Sequence, residues 1–175
     1  MVHDLADVRR RCPVVPPAAE RLMARWWPGP LTLVLKDVDG HLTGFRLPSH
    51  PLARRLVREA GVPLLVPSAN RSGHPAPTTA DGVLREFPTE LDLVIDGGSA
   101  QGGVPSTVVQ VVGDDVEVLR AGAIPEARIL DDRRLTKHLV HVFDELDVDV
   151  LQDCRGNLGN ILLVGDGDEH ALSLM

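Results

Sequence analysis

The stretch Pro28-Gly29-Pro30-Leu31-Thr32-Leu33-Val34-Leu35-Lys36-Asp37-Val38-Asp39-Gly40 decides the fold class. Pro28-Gly29-Pro30 ends whatever helix precedes it. The apolar run 31–35 has the length of a buried strand, and 37–40 is a turn that sends the chain into a second strand over 43–47. Upstream, the spacing predicts a short helix over 4–11. A second helix over 18–27 follows, with Pro17 in its first turn and Leu22, Met23, Trp26 and Trp27 on one face. Downstream comes a helix over 51–60, with Leu52, Leu56, Val57 and Ala60 inward and Gly61 as its stop. Strand-like segments follow at 62–66, 91–95, 106–112 and 116–119, with a helix over 80–87 between the first two. Helices and strands interleave and some strands are joined by tight turns. The expected class is therefore α/β, a twisted mixed sheet flanked by helices.

The 175 residues suffice for a real core, and the mean hydropathy of +0.02 argues against disorder throughout. No apolar run reaches the roughly 18 to 20 residues of a membrane span, and the N-terminus lacks a basic stretch followed by an apolar one. Cys12 and Cys154 are too few for a disulfide framework and not spaced for a zinc knuckle. A cytoplasmic protein with no membrane partner is expected. Residues 1–125 hold 13 Lys/Arg against 14 Asp/Glu, while 126–175 hold 5 against 11, so the net charge of −7 belongs mainly to the C-terminal part. The body is nearly neutral, and an RNA partner is not excluded by charge. The runs Arg9-Arg10-Arg11 and Arg54-Arg55 favour such a partner, although a solvated helix face is the plainer reading of each.

Several chemistries drop out. There is no phosphate loop of the G-x-x-x-x-G-K-[ST] form, and the glycine-rich segment 97–103 does not match G-x-G-x-x-G. A G-x-S-x-G elbow is absent, and no cysteine lies beside a histidine as a nucleophile. His138, His141 and Asp144 are spaced to face a metal from one helix, but no further ligand cluster accompanies them and a solvated face explains them better. What remains is a set of polar loops at strand ends. Arg46 offers a planar fork for a carboxylate or phosphate. Ser68 and Asn70 lie in the long turn-forming segment 67–79, Ser106 and Thr107 open a strand, and Arg120 closes the next. Singly, such Ser, Thr and Asn residues often only cap helices and close turns. Jointly they suggest a crevice for a small polar anion.

Five ordered motifs carry a resemblance: Trp27-Pro28-Gly29-Pro30-Leu31-Thr32-Leu33-Val34-Leu35, Arg46-x-Pro48-x-His50-Pro51, Pro67-Ser68-Ala69-Asn70-x-Ser72-Gly73-x-Pro75-x-Pro77-Thr78-Thr79, Pro105-Ser106-Thr107-Val108-Val109 and Leu119-Arg120-x-Gly122-Ala123-Ile124. Together they closely resemble the YrdC-like family. The resemblance implies a YrdC-like domain over 1–125 followed by an acidic extension over 126–175. It implies a threonylcarbamoyl-AMP synthase, a nucleotidyltransferase that joins L-threonine, bicarbonate and ATP, with Mg²⁺ accompanying the nucleotide, into threonylcarbamoyl-adenylate and pyrophosphate. The product would pass to a tRNA threonylcarbamoyl transferase complex that modifies adenosine beside the anticodon. Carried over by motif, the threonine contacts fall on His3, Arg46, Ser68 and Ser106, and the ATP contacts on Asn70, Thr78 and Arg120.

The family's T-D-T-x-Y-G-L and K-x-R segments do not occur in this sequence, and His3 falls on the end of the family's P-L-x-x-H pattern. The expectation is thus of a domain lacking its first part, without one threonine contact and two ATP-binding cations. The alternative is a non-catalytic module that binds double-stranded RNA or tRNA, or regulates. A carbamoyl-transfer domain like that of hydrogenase maturation proteins would need acylphosphatase and zinc-finger segments, which this sequence lacks. Asn160 to Val164 resembles the first strand of a low-molecular-weight phosphatase, but no C-x5-R signature follows it.

Overall fold

A computed structural model describes residues 1–100 and 104–131 and, as backbone only, the strands Ile161–Gly165 and Leu172–Ser173. The chain divides into two compact units. One comprises Met1–His3, Pro48–Pro105 and Asn157–Met175, the other Asp4–Leu47 and Ser106–Gly156.

The second unit is built on a four-stranded mixed sheet of order β2-β1-β4-β5, where β1 is Leu31–Lys36, β2 Leu42–Phe45, β4 Thr107–Val112 and β5 Asp115–Arg120. β1 runs antiparallel to β2 and parallel to β4, and β4 runs antiparallel to β5. Period-two burial explains why these segments are strands. Leu31, Leu33 and Leu35 are almost fully buried, as are Thr107, Val109 and Val111, and their neighbours Thr32, Val34, Val108 and Gln110 are half-buried. Helices α1 (Leu5–Arg11) and α2 (Pro17–Trp26) precede the sheet. Asp4 caps α1 by accepting from the Asp7 amide, and Pro17 opens α2 where its missing N–H costs nothing. Ala18, Ala19, Leu22 and Met23 form the buried face of α2, whereas Trp26 and Trp27 are only half-buried. The short helix α5 (Glu126–Leu130) buries Ile129.

In the other unit, α3 (Pro51–Ala60) ends on Gly61 in the left-handed region at φ 69°, a conformation that favours glycine. Its buried residues are Ala53 and Val57. Ala60, expected inward, is exposed: it is the last residue of the helix, where the chain turns away at Gly61. Helix α4 (Ala80–Glu86) is capped by Thr79, whose Oγ1 accepts from the Gly82 amide at 3.1 Å. Ala69, Val83 and Phe87 form a small core against which Ala80, Leu91 and Val94 pack. β3 (Leu93–Gly97) pairs in parallel with β6 (Ile161–Gly165), which pairs antiparallel with β7 (Leu172–Ser173).

Three expectations are corrected. The segment 62–66 is extended but is not a strand: Pro63 and Pro67 supply no amide, and Leu64 alone exchanges backbone bonds, with Met1. The second strand ends at Phe45, freeing Arg46 and Leu47 from the ladder, and the strand expected over 91–95 lies two residues later. The helix that would carry His138, His141 and Asp144, and the end of the glycine-rich loop, lie outside the described residues.

Candidate functional site

Ser106, Thr107 and Arg120 converge at one end of the β4-β5 pair. Thr107 is completely buried. Its Oγ1 donates to the Ile124 carbonyl at 2.7 Å and accepts from the Ile124 amide at 2.9 Å, so the chain after β5 is stitched back to the start of β4. That stitch fixes the preceding residue. Ser106, 6% exposed, lies within 2.9 Å of the Thr32 hydroxyl on β1, and Arg120 Nη2 donates to its carbonyl at 3.0 Å and its Oγ at 3.3 Å. Thr32 is the polar residue of the otherwise apolar run 31–35, and it reaches Ser106 because Leu31 pairs with Thr107 across the parallel register. Sequence reasoning missed Thr32. A lone hydroxyl in the run 31–35 was the available signal. Desolvation holds the Arg120 pKa below the usual guanidinium value, yet a guanidinium stays charged at any physiological pH. The result is a cation fixed on the Ser106 hydroxyl, which is itself paired with that of Thr32, a suitable set of groups for a carboxylate or phosphate.

Arg46 follows β2 directly. Its Nε donates to the Gly29 carbonyl at 3.3 Å, and the Gly29 amide donates to the Leu47 carbonyl at 2.9 Å. The Pro28-Gly29-Pro30 segment therefore holds Arg46 by the backbone, and Gly29 is required there. A Cβ at that position would collide with the Trp26 carbonyl oxygen.

In the other unit, the loop 67–79 carries three of the expected residues. Ser68 is exposed, Ala69 is buried in the small core, and Asn70 is half-buried. Asn70 Nδ2 donates to the His74 carbonyl at 2.8 Å and to the Arg71 carbonyl at 3.2 Å, closing the turn that Gly73 completes at φ 80°. The Thr78 carbonyl accepts from the Ala100 amide at 2.7 Å. His3 is half-buried beside Val2, in the segment tied to Leu64. The structure thus gathers Arg46, Ser106 and Arg120 on one unit and His3, Ser68, Asn70 and Thr78 on the other.

Two other features do not contribute chemistry of this kind. Asp37, Asp39 and His41 cluster closely enough for a cation. However, Asp37 already accepts from the Asp39 and His41 amides and the Thr43 hydroxyl, and Arg11 pairs with both carboxylates, so the cluster reads as a hydrogen-bonded turn with an arginine on it. An apolar pocket of about 380 Å³ lies among Leu5, Val8, Met23, Trp27 and Leu47, and its charged residues Arg9 and Glu20 pair with each other at 3.3 Å.

Residues 1–122 match the Sua5_yciO_yrdC family, described as Telomere recombination. The chain belongs to this family. It is 38% identical over 142 residues to the threonylcarbamoyl-AMP synthase of Bacillus subtilis, covering 74% of this chain and 41% of that protein. It is 40% identical over 120 residues to the enzyme of the same name from Pyrococcus abyssi, covering 63% of this chain and 35% of the other. The chain therefore spans less than half the length of these relatives. Among solved structures, P. abyssi Sua5 complexed with L-threonine superposes with a TM-score of 0.70 at 32% identity, covering 78% of this chain and 43% of that one. E. coli YciO gives 0.65 at 27% identity, covering 74% and 66%. These superpositions bear out the mixed α/β YrdC-like fold expected from the motifs. Among the described residues of this Sua5/YciO/YrdC chain, no helix is long and apolar enough to cross a membrane.

Proposed function

We propose that this chain carries the threonine-binding and part of the nucleotide-binding machinery of a threonylcarbamoyl-AMP synthase, within residues 1–125, with 126–175 as an acidic extension. The observation that carries the reading is the Ser106-Arg120-Thr32 cluster at the start of β4. It is a preorganised anion-binding set in a chain whose relatives bear that enzyme's name. In this reading, Arg46 and Ser106 take the carboxylate and hydroxyl of L-threonine, with Ser68 and His3 orienting the amino acid. Asn70, Thr78 and Arg120 hold ATP. The threonine amine attacks bicarbonate, expelling water and leaving a carbamate. A carbamate oxygen then attacks the α-phosphorus, the bond to the β-phosphate oxygen breaks, and pyrophosphate leaves with the electron pair. Such a reaction rests on orientation and charge neutralisation, and it needs no covalent protein nucleophile.

Mg²⁺ enters this scheme with the nucleotide. The seven residues present hydroxyls, amide groups, an imidazole and guanidinium groups but no carboxylate, so they fit an ion carried on phosphate oxygens better than one held by the protein. When bound, the ion would offset phosphate charge. The product would then serve tRNA modification in the cytoplasm through a transferase complex. The alternative of an RNA-binding module rested on the arginine runs. Arg9 pairs with Glu20, Arg10 with Asp7, and Arg11 with Asp37 and Asp39, which weighs against a free positive face there.

The test is direct. Incubation of the full chain with L-threonine, bicarbonate, ATP and Mg²⁺ should release pyrophosphate only when threonine is present, with threonylcarbamoyl-adenylate detected by mass. Failure both to form that adenylate and to bind L-threonine by calorimetry would overturn the reading.

A further inference from the structure

The loop 67–79 is held from outside by a residue that none of the motifs contains. Glu86 is the last residue of α4, and its Oε1 accepts from the Arg71 amide at 3.0 Å and from His74 Nδ1 at 2.8 Å. A carboxylate at a helix C-terminus faces the negative end of the dipole, so α4 gains nothing locally from a glutamate there. The bonds it makes lie 12 and 15 residues back along the chain, in the turn that Asn70 closes. Arg71 is secured a second time, since its guanidinium pairs with Glu90 and lies 5.1 Å over the Phe87 ring.

These bonds form one connected chain of contacts. Glu86 fixes the Arg71 amide and the His74 ring, and the carbonyls of the same two residues accept both amide protons of Asn70. With Nδ2 committed twice, the Asn70 group offered outward is Oδ1, an acceptor. An acceptor recognises the donors of a nucleotide, its exocyclic amine or ribose hydroxyls. We propose that Glu86 is a positioning residue that holds the Asn70 carboxamide in this acceptor-outward orientation for the nucleotide. The proposal rests on the reading of Asn70 as a nucleotide contact.

The experiment compares the full chain with Glu86→Ala and Glu86→Gln. Gln retains an acceptor oxygen for the Arg71 amide. Amide hydrogen exchange of the loop is measured alongside calorimetric titrations of ATP and of L-threonine. In Glu86→Ala, the Arg71 amide should exchange about tenfold faster and ATP should bind about five- to tenfold more weakly, the loss expected for one charge-assisted hydrogen bond. Threonine affinity should stay within about twofold, since the affected contact belongs to Asn70, and Glu86→Gln should restore both readouts to within about twofold of the native chain. Unchanged exchange, equal losses for ATP and threonine, or a Gln variant as impaired as Ala would each overturn the proposal. If Glu86→Ala does not fold, His74→Ala removes one of the two bonds and is read in the same way. If the native chain binds no ATP, the synthase reading fails, and the exchange measurement by itself then decides whether Glu86 holds the turn.

Discussion

Single residues divide here between those that hold position and those that offer themselves to a ligand. Ser106 and Arg120 do both, because the guanidinium that would meet an anion already grips the serine. Arg120→Lys should therefore fail to substitute: Nη2 is spent on Ser106, and a lysine ammonium has no second nitrogen left to meet the anion, so calorimetry should show threonine and ATP affinities both reduced about tenfold. Ser106→Ala should weaken threonine by a similar factor and lower the melting temperature by a few degrees, since the Thr32 hydroxyl and Arg120 each lose a partner. Cys12 is inert by comparison. It is 1% exposed, and burial, reinforced by the nearby Asp37 charge, pushes its thiol up to about 11. In a Cys154→Ser variant at pH 8, labelling of Cys12 by a disulfide reagent should proceed only as fast as the protein opens. Rapid labelling of the folded protein would contradict that account.

The elements were largely legible because their signals are local. Proline at the start of α2 and α3, Gly61 after α3 and the alternating burial of β1 and β4 are all written in adjacent residues. The failures have a common cause. Segment 62–66 has the composition of a strand, but a strand also needs partners and donors, and Pro63 within it and Pro67 just after it supply no donor. β1 is the element whose damage should cost most. Leu33, fully buried at its centre, should lose about 2 to 5 kcal/mol as Leu33→Ala in a denaturant titration. Gly29→Ala should cost about 1 to 3 kcal/mol, since the Cβ collides with backbone that cannot easily move. It should also weaken threonine binding, because the Gly29 carbonyl holds Arg46.

At the scale of the whole molecule, carboxylates link stability to pH. Burial of Asp37 opposes its charge, but hydrogen bonds from the His41 and Asp39 amides and the Thr43 hydroxyl, with Arg11 nearby, outweigh that and hold its pKa below 3.8. The Arg71 amide, aided by His74, lowers Glu86, and the Thr89 amide, aided by Arg71, lowers Glu90, both from 4.5. A depressed folded pKa contributes stability that is present above the unfolded value and lost as pH falls through the folded one. The melting temperature should thus be flat with respect to these groups above about pH 5 and fall as the pH drops below 4, and Asp37→Asn should flatten that fall. An acid limb unchanged by Asp37→Asn would show that other groups control it.

By itself the sequence determined the class of fold, the order of the elements and the family, since helix caps, strand periodicity and five ordered motifs are all properties of neighbouring residues. It also pointed to Arg46, Ser68, Asn70, Thr78, Ser106 and Arg120 as polar residues at element ends. Only the tertiary structure decided what holds them. Thr32 meets Ser106 through the parallel pairing of β1 with β4, Thr107 is stitched to Ile124, and Glu86 reaches back to Arg71 and His74. Those contacts join residues 12 to 74 positions apart. A hydrogen bond depends on distance in space, and that distance exists only once the strands have paired and the helix has packed.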